Sequence, residues 1–140
     1  MPILYTAEAL ASGDGRNGRA RTTDGKLDLN LSAPKEMGGD GEGTNPEQLF
    51  AAGYAACFHS ALRLVGKQAK ANIDDSAVGA KVGIGPNDAG GFGLAVTLEV
   101  SLPHLSREDA QALADKAHQV CPYSNATRGN IDVQVLIADD

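Results

Sequence analysis

The stretch from Gly43 to Cys57, Gly-Thr-Asn-Pro-Glu-Gln-Leu-Phe-Ala-Ala-Gly-Tyr-Ala-Ala-Cys, constrains this chain more than any other. It opens with helix-entry chemistry and then turns almost wholly apolar, with no charged side chain from residue 49 to 58. Thr44 and Glu47 stand at capping-box spacing, and Pro46 suits a first helical turn, where a missing N–H costs nothing. A helix with no polar face is normally buried in a core or against a partner chain. The pattern predicts a helix to about Lys70, polar from Arg63 onward, with Phe50, Gly53, Cys57, Ala61 and Leu64 on one stripe. Ala52, Gly53, Ala56 and Ser60 are small, so this helix is expected to pack on a second copy of itself.

The segments around it read as strands. Residues 3–11 begin one, and a short one near 19–23 leads into Asp24-Gly25, a strong hairpin signal. Leu27, Leu29 and Leu31 then alternate with polar residues, the period of a half-buried strand. Pro34 and four glycines make 33–43 a loop. Beyond the helix, Val78 to Ile84 and Leu94 to Leu102 alternate on either side of a Pro86–Gly91 turn. Ser106 opens a second helix with an apolar stripe Ala110, Leu113, Ala114, Ala117 and Cys121, which Pro122 closes. Ile131 to Ile137 is the last strand. The order predicts an α+β fold of antiparallel strands with helices on one face. No repeat or linker interrupts it, so residues 1–140 are read as a single domain.

Composition narrows the function. Twelve basic and 18 acidic residues give a net charge of −6, which disfavours nucleic acid or an anionic membrane as partner. No run of about 18 apolar residues suggests a membrane span. The first residues lack the basic and apolar regions of a signal peptide, so a cytoplasmic protein is expected. Lasting disulfides are uncommon there, so Cys57 and Cys121 are either two packed thiols or a transient catalytic pair.

In the catalytic reading one thiol is a nucleophile and the other resolves it. A thiolate needs a nearby cation, because burial alone raises a thiol's pKa. Arg16 and Arg19, in Gly15-Arg16-Asn17-Gly18-Arg19, are the candidates, although such a turn can simply be solvated. Glu47 either caps the helix start or holds Arg16 in a two-pronged pair. Ten residues of helix put Glu47 roughly 15 Å from Cys57. An arginine must span them, or the helix breaks near Gly53, or Glu47 comes from a partner chain. His59, His104 and His118 are scattered, with neither zinc spacing nor a Cys-His arrangement.

Residues 43–58, Val-Gly-Ile-Gly (82–85), Gly-Gly-Phe-Gly-Leu (90–94) and Asp-Lys-Ala-His-Gln-Val-Cys-Pro-Tyr-Ser-Asn-Ala-Thr-Arg-Gly-Asn-Ile-Asp-Val (115–133) resemble the Ohr/OsmC family, and its organic hydroperoxide resistance branch in particular. The likeness runs from Leu4 to the last strand. It implies an OsmC-like fold, with antiparallel sheets and a long central helix in an intertwined homodimer. It also implies a thiol peroxidase that reduces organic hydroperoxides to alcohols, with no bound cofactor and no metal. Dihydrolipoamide or lipoylated proteins would supply the electrons. Carried over by motif, Cys57 is the peroxidatic cysteine, Cys121 the resolving one, Arg16 the thiolate's cation and Glu47 the carboxylate that orients it. Asn17 departs from the family's usual aspartate, and Arg19 is the fallback should the register slip. Leu49, Phe50, Phe58 and Tyr123 are expected to form an apolar entrance suited to alkyl and fatty-acid hydroperoxides. The rival readings are a peroxide-sensing redox switch without multiple turnover and a dimeric scaffold with two inert thiols.

Overall fold

The computed structural model describes residues 1–139. Its contacts gather into two compact units, Met1–Leu49 and Phe50–Asp140, with the boundary inside the long helix α1, Pro46–Gln68.

In the first unit, β1 (Ala9–Ser12), β2 (Arg19–Thr22) and β3 (Asp28–Asn30) form an antiparallel sheet in that order. The first strand is shorter than the sequence suggests. Ala9 already pairs with Thr22, the last residue of β2, so the residues before it have no strand opposite. The Asp24-Gly25 turn forms as expected, with Asp24 Oδ1 accepting from Thr22 Oγ1 and from the Lys26 amide. A 3₁₀ turn, Gly15–Asn17, joins β1 to β2. It closes so tightly that a Cβ on Gly18 would meet the Ser12 carbonyl oxygen at 2.2 Å, which only glycine avoids.

In the second unit, β4 (Ala77–Pro86) and β5 (Phe92–Ser101) form a long antiparallel hairpin, registered from Ala77 opposite Ser101 to Pro86 opposite Phe92. β6 (Asp132–Ile137) completes the sheet in the order β4-β5-β6 and runs parallel to β5. This pair departs from the antiparallel expectation. The connection from β5 passes through α2 (Arg107–Val120) and α3 (Pro122–Thr127), long enough to carry the chain back to the end where β5 began. Ser106 caps α2 as its sequence suggests, its hydroxyl accepting from the Asp109 amide.

The period-two reading of β5 holds: Val96, Leu98 and Val100 are buried, and Thr97 and Glu99 are not. Against them pack Leu113, Ala114 and Ala117 of α2 and one face of α1. That face is Tyr54, Phe58, Ala61, Leu62 and Val65, turned from the expected stripe. The largest side chains, Tyr54, Phe58 and Leu62, fall at four-residue spacing and take the core. Cys57 is left half-buried at its rim, and Leu64 is exposed. The small side chains of Ala52, Ala56 and Ser60 face outward. By length and composition alone α1 could cross a membrane, unlike the sequence expectation, but here its large side chains fill the second unit's core.

Candidate active site

Pro122 sets the geometry of the second cysteine. A residue before proline is pushed out of the helical region, and Cys121 sits at φ −61°, ψ 123°. Pro122 therefore ends α2, as expected, and also opens α3, occupying its first turn. The bend places the Cys121 thiol in the core with no exposed surface. Its Sγ lies 3.7 Å from Cys57 Sγ, close enough for the thiol to donate to it. The pair that sequence spacing leaves 64 residues apart is thus brought together, with one sulfur buried and the other part-exposed.

Burial pushes the Cys57 thiol above its ordinary pKa. The Tyr123 backbone N–H opposes that shift, and the neighbouring Cys121 thiol adds to it. Beside the sulfurs, Tyr123 joins an aromatic cluster, its ring centroid 6.1 Å from Phe50 and 5.6 Å from Tyr54. Phe50 and Tyr123 keep exposed surface. Phe58, expected at the entrance too, does not. It is 0 % exposed, because its position on α1 points into the core.

A hydrogen-bonded group also forms in the second unit, and of its members the sequence drew attention only to His118. Tyr54 Oη is 2.8 Å from Ser124 Oγ and 3.2 Å from Thr127 Oγ1, and Ser124 Oγ is 2.8 Å from His118 Nδ1. No sequence pattern marked it: Ser124 and Thr127 are the buried residues of α3, while its apolar Pro122, Tyr123 and Ala126 are exposed. Burial, then the Arg128 charge, lower the His118 pKa, and Asp115 partly offsets them.

Within the first unit, Arg16 and Glu47 meet as a two-pronged pair, Nη1 to Oε1 at 2.6 Å and Nη2 to Oε2 at 3.1 Å. The pair is partly sheltered, with the side chains 35 % and 15 % exposed. Of the two roles open to Glu47, the structure shows the arginine clamp. The helix cap is Asn45, whose Oδ1 accepts from the Gln48 amide, while Thr44 Oγ1 donates to the Gln48 side chain. The break proposed near Gly53 does not occur, since α1 is continuous. Arg19, the fallback, is engaged on the exposed face with Asp28. Asn17 holds the turn through its Oδ1, which accepts from the Ala33 amide, a bond an aspartate could also accept. His59 bonds Ser76, and His104 bonds Asp75. A cavity of about 500 Å³ opens between the end of α1 and α2, lined by Lys70, Leu105, Leu113 and Lys116 among others; neither cysteine lines it.

The pattern of the OsmC-like protein family matches residues 39–136. The organic hydroperoxide resistance protein of Xanthomonas axonopodis pv. citri (strain 306) is 54% identical over 138 residues, covering 97% of this chain and 96% of that one. This chain belongs to the Ohr/OsmC family. The organic hydroperoxide resistance protein OhrB of Bacillus subtilis (strain 168) is 47% identical, covering 94% of this chain and 96% of that one. A crystal structure of an organic hydroperoxide resistance protein from Elizabethkingia anophelis, with thiocyanate bound, superposes with a TM-score of 0.95 at 51% identity, covering all of both chains. The α+β fold, with two small sheets and a long helix, is thus an Ohr/OsmC fold.

Proposed function

We propose that this protein defends against oxidative stress as a thiol peroxidase for organic hydroperoxides. The carrying observation is the asymmetric sulfur pair: Cys57 is reachable, Cys121 is fully buried, and 3.7 Å separates them. The names of the relatives support the substrate class. The Cys57 thiolate attacks the peroxide oxygen, the O–O bond breaks, the alcohol leaves and Cys57 becomes a sulfenic acid. The Cys121 sulfur then attacks the Cys57 sulfur, and the hydroxyl departs as water. The resulting disulfide protects Cys57 from further oxidation until a dithiol reopens it by exchange.

A thiol whose own surroundings raise its pKa needs a cation to ionise at neutral pH. Arg16, the family motif's arginine, is proposed for that role and for stabilising charge on the peroxide oxygen in the transition state. Glu47 is proposed to orient it, and the support is the two-pronged pair they already form.

The reductant is proposed to be dihydrolipoamide or a lipoylated protein, acting in the cytoplasm, where a cycling disulfide is at home. The chain is read as one Ohr/OsmC-like domain, since the family pattern runs from residue 39 to 136. A homodimer is proposed because β1 is exposed at every residue and follows Ile3, Leu4 and Tyr5, with Leu4 at 96 % exposure. Such a run of apolar surface suits a second chain.

Steady-state reduction of tert-butyl hydroperoxide with dihydrolipoamide, beside glutathione and thioredoxin, tests the reading. Sustained turnover with the lipoyl dithiol alone is expected. Oxidation without turnover by any of the three would leave a redox switch instead.

A further inference from the structure

Four polar side chains meet in the interior of the second unit, and their places in the chain connect them to the sulfurs. Tyr54 lies three residues before Cys57, and Ser124 three after Cys121. Each of the two residues is therefore three positions along the chain from a cysteine. Tyr54 and Ser124 have no exposed surface, and Thr127 is 2 % exposed.

Only one of these bonds has a fixed direction. The Thr127 hydroxyl donates to the Ser124 carbonyl, either oxygen can donate between Tyr54 and Ser124, and the Ser124–His118 direction follows the imidazole tautomer. For packing alone, phenylalanine, alanine and valine would fill these positions. Buried hydroxyls are costly when unpaired and return only a modest net stability when paired. What the paired set adds is direction, because a hydrogen bond fixes a register along which an apolar contact could slide. α3 needs that help. Six residues are too few for a helix to hold its own shape, let alone its position.

We propose that the hydrogen-bonded chain Tyr54–Ser124–His118 is a positioning device for disulfide closure, holding the turn that bears Cys121 in register with the turn that bears Cys57. To close, the sulfurs must approach by about 1.7 Å, from 3.7 Å to bonding distance, at a dihedral near a right angle. Displacements of an ångström at a reacting centre cost up to about a hundredfold in rate. The inference rests on the peroxidase reading for how Cys57 is first oxidised, but not for how the bond closes.

Tyr54→Phe removes one hydroxyl and keeps the ring, and Ser124→Ala removes the centre of the chain. Each variant, with wild type, receives one equivalent of tert-butyl hydroperoxide in the presence of dimedone, and mass spectrometry gives the ratio of Cys57–Cys121 disulfide to Cys57–dimedone adduct. That ratio compares two fates of the same sulfenic acid, so it is independent of the first oxidation rate. It should fall about tenfold or more in both variants. A ratio equal to wild type in both, whatever happens to the melting temperature, would overturn the proposal and leave the hydroxyls a structural role only. If Ser124→Ala does not fold, Tyr54→Phe decides alone.

A glutathione redox buffer provides an arm without peroxide. There the ratio of Cys57–Cys121 disulfide to Cys57–glutathione mixed disulfide should fall in the same way, and an unchanged ratio contradicts the proposal. A wild-type protein inert to hydroperoxide but normal in this arm would sink the peroxidase reading and leave the positioning device standing.

Discussion

Tyr123 lies against α1 at Gly53 so closely that a Cβ there would stand 2.8 Å from the phenolic oxygen and 3.3 Å from the ring. A glycine inside a helix costs about 1 kcal/mol relative to alanine, so the position trades helix stability for room beside the sulfurs. In Gly53→Ala the ring must move, and being 39 % exposed it can. Thermal melts should show stability within about 1 kcal/mol of wild type, the helix gain offsetting the displaced contact. KM across a series from tert-butyl to fatty-acid hydroperoxides should shift, most for the bulkiest. An unchanged series would mean that Tyr123 does not border the entrance.

Phe58 belongs to the core and not to the entrance. Phe58→Ala should cost about 3–5 kcal/mol in chemical denaturation, as large aromatic deletions from packed interiors do. Activity per folded molecule should keep the wild-type KM. Loss of substrate discrimination at undiminished stability would reverse that assignment.

The strands and helices were legible because their apolar periods differ: two in β5, nearer four in α1 and α2. The cysteine pair was legible through its motifs, but its closeness was not, because the bend at Cys121 depends on where α3 packs. The face of α1 was misjudged because every residue from Leu49 to Phe58 is uncharged, and only side-chain size decided what went inside. The parallel β5–β6 pair was hidden because α3 reads as loop once Pro122 has closed α2. The Tyr54–Ser124–His118 chain was invisible because no spacing rule links residues 70 apart.

The Arg16–Glu47 pair should matter more for chemistry than for folding. Part-exposed ion pairs contribute about 1 kcal/mol or less, so Arg16→Ala and Glu47→Ala should melt close to wild type. On the proposed role of Arg16 as the cation for Cys57, the pH at which Cys57 becomes alkylable should rise in Arg16→Ala. Arg16→Lys should rescue only part, since a lysine cannot make the two-pronged contact. An alkylation profile identical to wild type would remove Arg16 from the site.

His118 predicts a pH dependence of stability. Its folded pKa is lowered by burial and then by Arg128, with Asp115 partly opposing, while unfolded it titrates near about 6.5. Between those two values the unfolded chain binds more protons, so stability is full above about 6.5 and declines as pH falls toward the folded pKa. Melting temperatures of wild type and His118→Gln, followed downward from neutral pH, should diverge in steepness, with the variant flatter. Parallel curves would mean that His118 does not titrate on unfolding in this window.

Mass spectrometry of the wild type, Cys57→Ser and Cys121→Ser after one equivalent of an alkyl hydroperoxide bears most directly on the sulfur pair. Wild type should yield the intramolecular 57–121 disulfide, Cys121→Ser a sulfenic acid on Cys57 that excess peroxide carries to sulfinic acid, and Cys57→Ser an unreacted Cys121. Recovery of both wild-type thiols unoxidised, or oxidation of Cys121 in the absence of Cys57, would contradict the account.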